Sequence, residues 1–227
     1  MKKTLTPSWE LFNKSAALLR DHYLGVIYLV LLPSLVSVLG QLLLGELNFK
    51  NGLPTLTQTQ IIGLAIMFVS AIWQLINAGP LAYFSLRVAS GTKPEALSTY
   101  YREGLRFTPR LFAYYIAFGL QILVGLLLFI VPAFYVLRRN ILGPYYLVDA
   151  DLGVRQALNT SAKRSKAVSG AIWGVMGVSF SIVLVVGFLQ ITLSSVGLLL
   201  GQLLLCTTVF LLALRYRDIE PTTPKKI

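Results

Sequence analysis

An all-α, polytopic membrane fold is what this 227-residue chain predicts, and three observations predict it. The composition is 56% hydrophobic and only 13% charged, with a mean hydropathy of +0.71, far more apolar than a soluble domain of this size requires. Apolar runs of spanning length recur along the whole chain, and a helix needs about 20 apolar residues to cross the hydrocarbon core. The basic residues sit in alternate loops between these runs. A net charge of +11 would suggest nucleic acid in a soluble protein. Here the Lys and Arg flank apolar segments, so the expected partners are membrane lipids, especially anionic ones, and not nucleic acid.

Residues 1–22 open the chain. MKKTLT resembles the charged lead of a signal peptide, but PSWELFNKSAALLRDHY follows where a continuous apolar core should be, so no cleavage is expected. Instead, 8–20 reads as an amphipathic interfacial helix with Trp9, Phe12, Ala16 and Leu19 on one face. Spans follow at 23–44 and 61–86. A second lead helix at 93–107 precedes the run beginning at 111. A third at 153–166, with Val154, Ala157, Leu158 and Ser161 on one side, precedes the tract 171–214. That tract is long enough for two spans, 171–189 and 195–214, and Gln190, Thr192, Ser194 and Ser195 mark a tight turn between them. The tail 215–227, RYRDIEPTTPKKI, is polar and expected to be cytoplasmic and mobile. Short echoes in the leads (FNKSA, ALST, ALNTSA) fit one plan used three times, a lead helix plus a hairpin.

The stretch VPAFYVLRRNILGPYYLVDADLG, residues 131–153, decides the number of crossings. If 111–137 were one span ended by Arg138 and Arg139, five crossings would place nine basic residues inside and eleven outside. If the chain turns at Pro132 and returns through 133–149, six crossings place seventeen inside, Lys50 alone outside, and the two arginines in the membrane. Short cytoplasmic loops accumulate Lys and Arg. Six spans, 23–44, 61–86, 111–131, 133–149, 171–189 and 195–214, with both termini cytoplasmic, are therefore predicted. A re-entrant hairpin broken at Gly125 passes the same test, but its arms of about 13 residues are too short to span.

Crossing with Arg138 and Arg139 costs roughly 2.5 to 3.5 kcal/mol each at a helix centre, so the pair must face protein, water or an anion. With Asn140 they form the candidate binding site for anionic lipid or another anion. Pro132 is the candidate turn. Pro144, after Gly143, is the candidate kink that frees backbone carbonyls for nearby donors. Asp149 and Asp151 are the candidate caps of the helix beginning at Gly153.

Pro132, the arginines six and seven residues later, Pro144, Asp149, Gly153, Ala157 with Leu158, and Ser161 make a pattern of P, R, P, acidic, G, AL, S. This pattern, with the lead SWELFNKS, resembles the membrane domain found ahead of some bacterial glycerophosphodiester phosphodiesterases, and related six-span inner-membrane proteins of uncharacterised role. The resemblance implies a six-helix module of the bacterial cytoplasmic (inner) membrane without an established activity. Ala133 stands where that family frequently has Gly, and no soluble phosphodiesterase domain is present from which hydrolysis could be carried over.

The chemistry of a catalyst is hard to assemble. His22 is the only histidine and Cys206 the only cysteine, so no metal-ligand spacing exists and neither metal nor cofactor is expected. No glycine-rich phosphate loop or serine elbow appears. GAIWG at 170–174 and GLLLG at 197–201 allow close helix packing, within the chain or in a homo-oligomer or with a membrane protein partner. Gln74, Asn77, Gln121, Asn140 and Gln202 are expected to hydrogen-bond between helices. Two functional classes remain: a non-enzymatic membrane module that binds anionic lipid and supports membrane organisation, and a small transporter or channel in which the arginine pair attracts an anion.

Overall fold

The computed structural model describes residues 5–45, 48–50, 53–55, 57–92 and 95–220. Helix dominates these residues. α1 (Ser8–Asp21) breaks at His22 and continues as α2 (Tyr23–Val26), a π-helical turn (Ile27–Leu31) and α3 (Leu32–Leu44). Two three-residue strands, β1 (Asn48–Lys50) and β2 (Leu53–Thr55), pair antiparallel before α4 (Gln58–Ala89). α5 (Leu97–Leu105), α6 (Thr108–Leu128), α7 (Ile130–Asn140), α8 (Gly143–Asp149), α9 (Val154–Ala167) and α10 (Ser169–Ile219) complete the order. Five of the described helical stretches are long and apolar enough to cross a membrane: Tyr23–Leu44, Gln58–Ala89, Thr108–Leu128, Ser169–Leu193 and Val196–Ile219. Their outer faces carry large apolar side chains in the open, among them Phe68 at 68% exposure and Ile191 at 84%. Water penalises such a surface and lipid does not, as befits a multi-pass membrane protein.

The helices form three hairpins, each preceded by a short amphipathic helix. In the first, α3 lies against α4, and Ser70 donates to the Pro33 carbonyl across the pair at 2.8 Å. In the second, Phe129 breaks the helix and α7 returns along α6. An ideal Cβ on Gly125 would lie 2.8 Å from Ala133 Cα, leaving room there for a hydrogen only. Farther down the same pair, Asn140 reaches Gln121 and Asp151 reaches Arg110. In the third, the 51 helical residues of α10 cannot be straight. A Cβ on Gly197 would lie 2.0 Å from the Leu189 carbonyl oxygen, a residue that a straight helix would put about 12 Å away at its 1.5 Å rise. The two halves therefore fold together, as the polar turn residues predicted.

Three prolines interrupt these helices, and each missing N–H has been compensated from a neighbouring helix. Pro33 cannot donate to the Leu29 carbonyl four residues back, and Asn77 Nδ2 donates there instead at 2.9 Å. The π-helical turn sits directly before it. Pro80 leaves the Ile76 carbonyl open, and Thr108 Oγ1 fills it at 3.0 Å. Pro144 leaves the Asn140 carbonyl open, and the Tyr114 hydroxyl donates to it. In a bilayer interior these carbonyls have no water to turn to, so a side-chain donor is the remaining way to satisfy them.

Three expectations need correction. The second hairpin turns at Phe129, three residues before Pro132, which lies inside the first turn of α7 where a proline is tolerated. Residues 133–149 are not one span-length helix: the chain breaks at Ile141 and Leu142, so a half with an exposed outer face (α7) precedes a half in the interior (α8). Residues 143–148 of α8 are all buried, at the centre of the largest core cluster with Leu111, Tyr114, Ile172 and Tyr216. The tail is helical to Ile219, and its first residue, Arg215, is 1% exposed. Residues 221–227 lie outside the described residues.

Candidate functional site

The end of α7 holds the predicted site, and the structure sends its three residues in three directions. Asn140 points inward and is 1% exposed. Its Nδ2 donates to Gln121 Oε1 at 2.9 Å, which ties α7 to α6 and uses the side chain for packing. Arg138 lies half-buried on the face towards α10. Its guanidinium carbon sits 4.7 Å from the ring centre of Tyr135, one turn earlier on the same helix. Nη1 donates to Ser169 Oγ at 2.6 Å, at the start of α10. Nε is buried with no hydrogen-bond partner. Arg139 points outward and is exposed, and only its carbonyl is engaged, accepting from Ser161 Oγ of α9 at 2.9 Å.

No carboxylate among the described residues forms an ion pair with either arginine. The polar groups that Arg138 does meet, a hydroxyl and an aromatic face, leave its charge uncompensated. Next to this end of α7 runs α9, whose Arg155, Lys163 and Lys166 are exposed and likewise without an acidic partner among the described residues. The inner side of α9, Ala157, Ser161 and Ser165, is fully buried against the bundle. Its basic side chains are consequently held outward in a row beside Arg139. Such a surface attracts anions and offers guanidinium N–H groups to phosphate oxygens.

Asp149 and Asp151 do not cap α9. The cap position is Gly153, whose N–H is received by Gln156 Oε1 at 3.4 Å. Asp151 instead pairs with Arg110 at 2.6 Å, in a left-handed backbone conformation (φ 50°). Asp149 accepts from both terminal guanidinium nitrogens of Arg217, at 3.0 and 2.8 Å, and from the Tyr216 hydroxyl at 2.8 Å. Around it lies a polar cluster that sequence reasoning missed. Arg215 bonds Asp218 at 3.0 Å and Ser8 of α1 at 3.1 Å. Asp218 also accepts from the Thr6 backbone N–H, and Glu220 joins Arg164 of α9 to Tyr146 of α8. The signal for it was the i, i+3 spacing of Arg215 and Asp218 at the end of an apolar run, which fits a buried helical ion pair as well as a polar tail.

Of the remaining polar groups of the apolar helices, some are bonded and some are not: Ser179 Oγ and Thr208 Oγ1 are buried with no hydrogen-bond partner among the described residues, and Gln202 makes none of the expected bonds there. Gln74 donates to Ser70 one turn back on α4, within one helix and not between helices as expected, and Asn77 donates across to the Leu29 carbonyl, as above. His22 Nδ1 lies 3.1 Å from the Leu18 carbonyl and its ring meets Phe84 edge-on. Cys206 is buried. Among the described residues no three His, Cys, Asp or Glu side chains gather as metal ligands would. No family model, curated protein or solved structure matches this chain.

Proposed function

We propose that this chain is a non-enzymatic, six-crossing protein of the bacterial cytoplasmic membrane that binds anionic lipid at its cytoplasmic face and supports membrane organisation. In this reading α6 with α7–α8 forms the third and fourth crossings, and α1, α5 and α9 lie in the headgroup layer. The observation that carries it is the Arg138 guanidinium, short of any acidic partner, beside the outward Arg139 and the unpaired basic row of α9. Each such charge near an anionic surface contributes about 1 kcal/mol. Anion passage through the same arginines is the rival. The polar side chains along the apolar helices favour lipid, because Asn140 and Gln121 bond one another, Asn77 bonds backbone and Gln74 bonds Ser70 of its own helix, rather than being arranged along a path.

The test is lipid retention by the purified full chain. The native protein should carry phosphatidylglycerol or cardiolipin through purification, and Arg138→Ala with Arg139→Ala should lower that retention about tenfold or more. Equal retention by the double variant rejects the reading. Anion flux into proteoliposomes that the same variant loses would move the assignment to transport.

A further inference from the structure

A cleft lies away from the arginine pair, where α1 meets α2 beside the ends of α4 and α5. It has a volume of about 410 Å³ and is open on one side. Phe84 and Tyr100 form its floor, with ring centres 4.9 Å apart and edge-on. Gly25 makes the floor possible, since a Cβ there would lie 2.5 Å from the Phe84 ring. His22 and Tyr28 wall it, and Asp21 and Glu95 bring two carboxylates to it.

The charge balance here differs from the rest of this end of the molecule. Asp21 is 55% exposed and, among the described residues, pairs only with its exposed neighbour Arg20 at 3.4 Å. Glu95 is held by Arg87. Among the described residues the charged groups lining the cleft are the carboxylates of Asp21 and Glu95, each with an arginine behind it, whereas α9 presents basic residues and no acid. Two carboxylates at the rim, over aromatic rings, suit a zwitterion that carries an ammonium group: carboxylate and aromatic faces both attract the cation. The cleft also continues into an exposed apolar stripe. Leu24, Tyr28, Leu35, Leu39 and Leu42 follow one another up the outer face of the first spanning segment at helical spacing, each between 48% and 64% exposed. A headgroup in the cleft would have its acyl chains along that stripe, which a soluble amine could not use. The backbone break at His22 and the π-helical turn at Ile27–Leu31 flank the cleft, and π-helical turns concentrate at functional sites.

We infer that the cleft between α1, α2, α4 and α5 is a binding site for an aminophospholipid, with the ammonium of a phosphatidylethanolamine headgroup between Asp21, Glu95 and the rings of Phe84 and Tyr100. This site is separate from the anionic-lipid surface at Arg138 and Arg139, and it requires only that the chain sit in a membrane.

Native mass spectrometry of the purified full chain tests it, offering equal amounts of phosphatidylethanolamine and its N-acetylated form with acyl chains of different mass. The unaltered protein should retain the free amine in preference. Asp21→Asn, an exposed change that leaves the Arg87–Glu95 pair intact, should cut the preference about tenfold. Leu97→Trp, which fills the cleft from α5, should abolish it. Arg138→Ala with Arg139→Ala should leave it unchanged while lowering phosphatidylglycerol retention. Equal retention of the two lipids by the unaltered protein, or an unchanged preference in Asp21→Asn and Leu97→Trp, overturns the assignment whatever the arginine variant does.

Discussion

At the scale of single residues, the prolines and their distant donors carry the most physical content. Tyr114 is buried to 0% exposure and its hydroxyl serves one purpose, the carbonyl of Asn140 that Pro144 leaves open. Tyr114→Phe keeps the ring in the core and removes the donor, so it should destabilise the protein by about 1 kcal/mol, the scale of a hydrogen bond between helices in a membrane. In a Pro144→Ala background the backbone N–H returns to position 144, and the same substitution should then cost less than half as much. Reversible unfolding in mixed micelles measures both; equal costs in the two backgrounds would show that the hydroxyl acts elsewhere. Pro144 announced a freed carbonyl in the sequence. Its donor did not announce itself, because Tyr114 lies 26 residues from Asn140 and reads there as one more apolar residue of α6. The same holds for Asn77, 48 residues from Leu29. Arg138 and Arg139 stood out from the start, since charge in an apolar run is costly, yet their difference in burial depends on where α10 begins.

At the scale of elements, the end of α10 is bound to α8 and α9 by ion pairs and to α1 by a hydrogen bond from Arg215, whose own ion pair with Asp218 lies within α10. Asp218 is 13% exposed and faces the 1%-exposed Arg215, whereas the Arg20–Asp21 pair has both partners largely in solvent. Removing one partner of a buried pair leaves an uncompensated charge and costs roughly 3–5 kcal/mol. An exposed pair contributes about 0–1 kcal/mol. Asp218→Asn should therefore lower the melting temperature in detergent by about 6 to 12 °C, and Asp21→Asn should lower it by no more than a few degrees. Similar shifts in the two variants would mean that α10 is not fastened where Arg215 meets α1. The sequence makes the lead helices and the 190–195 turn legible, because amphipathic periodicity and a polar gap in an apolar tract are local signals. It hides the split of 133–149 into α7 and α8. A side chain facing lipid and one buried in protein are equally apolar, so PYYLV reads alike in either place. The tail was misread for a related reason: Arg215 and Arg217 are polar in isolation, and only the fold supplies Asp149 and Ser8.

At the scale of the whole molecule, the ends of the described chain lie together. The Thr6 N–H meets Asp218, and Ser8 meets Arg215, so the chain returns to the end of the bundle from which it sets out. Arg110 meets Asp151 at the same end of α6, which a single one-way crossing over 111–137 would forbid. Charge parity points to an even number of crossings from the sequence because it counts loops without needing to know how any helix packs. The far tip of the second hairpin is where a full crossing and a re-entrant arm would differ. α6 has 21 residues, about 31 Å at the helical rise, which matches the roughly 30 Å hydrocarbon thickness. The two arms of about 13 residues that a break at Gly125 would leave could not reach as far. Phe129, 80% exposed at that tip, should thus stand at the outer surface and Ala150 at the inner one. In a Cys206→Ala background, Phe129→Cys should react with a membrane-impermeant maleimide added to intact cells. Ala150→Cys should react only after the cytoplasmic side is opened. Labelling of both positions from the cytoplasm alone would make the hairpin re-entrant. Labelling of Ala150→Cys from outside would reverse the parity on which the cytoplasmic placement of the basic face rests.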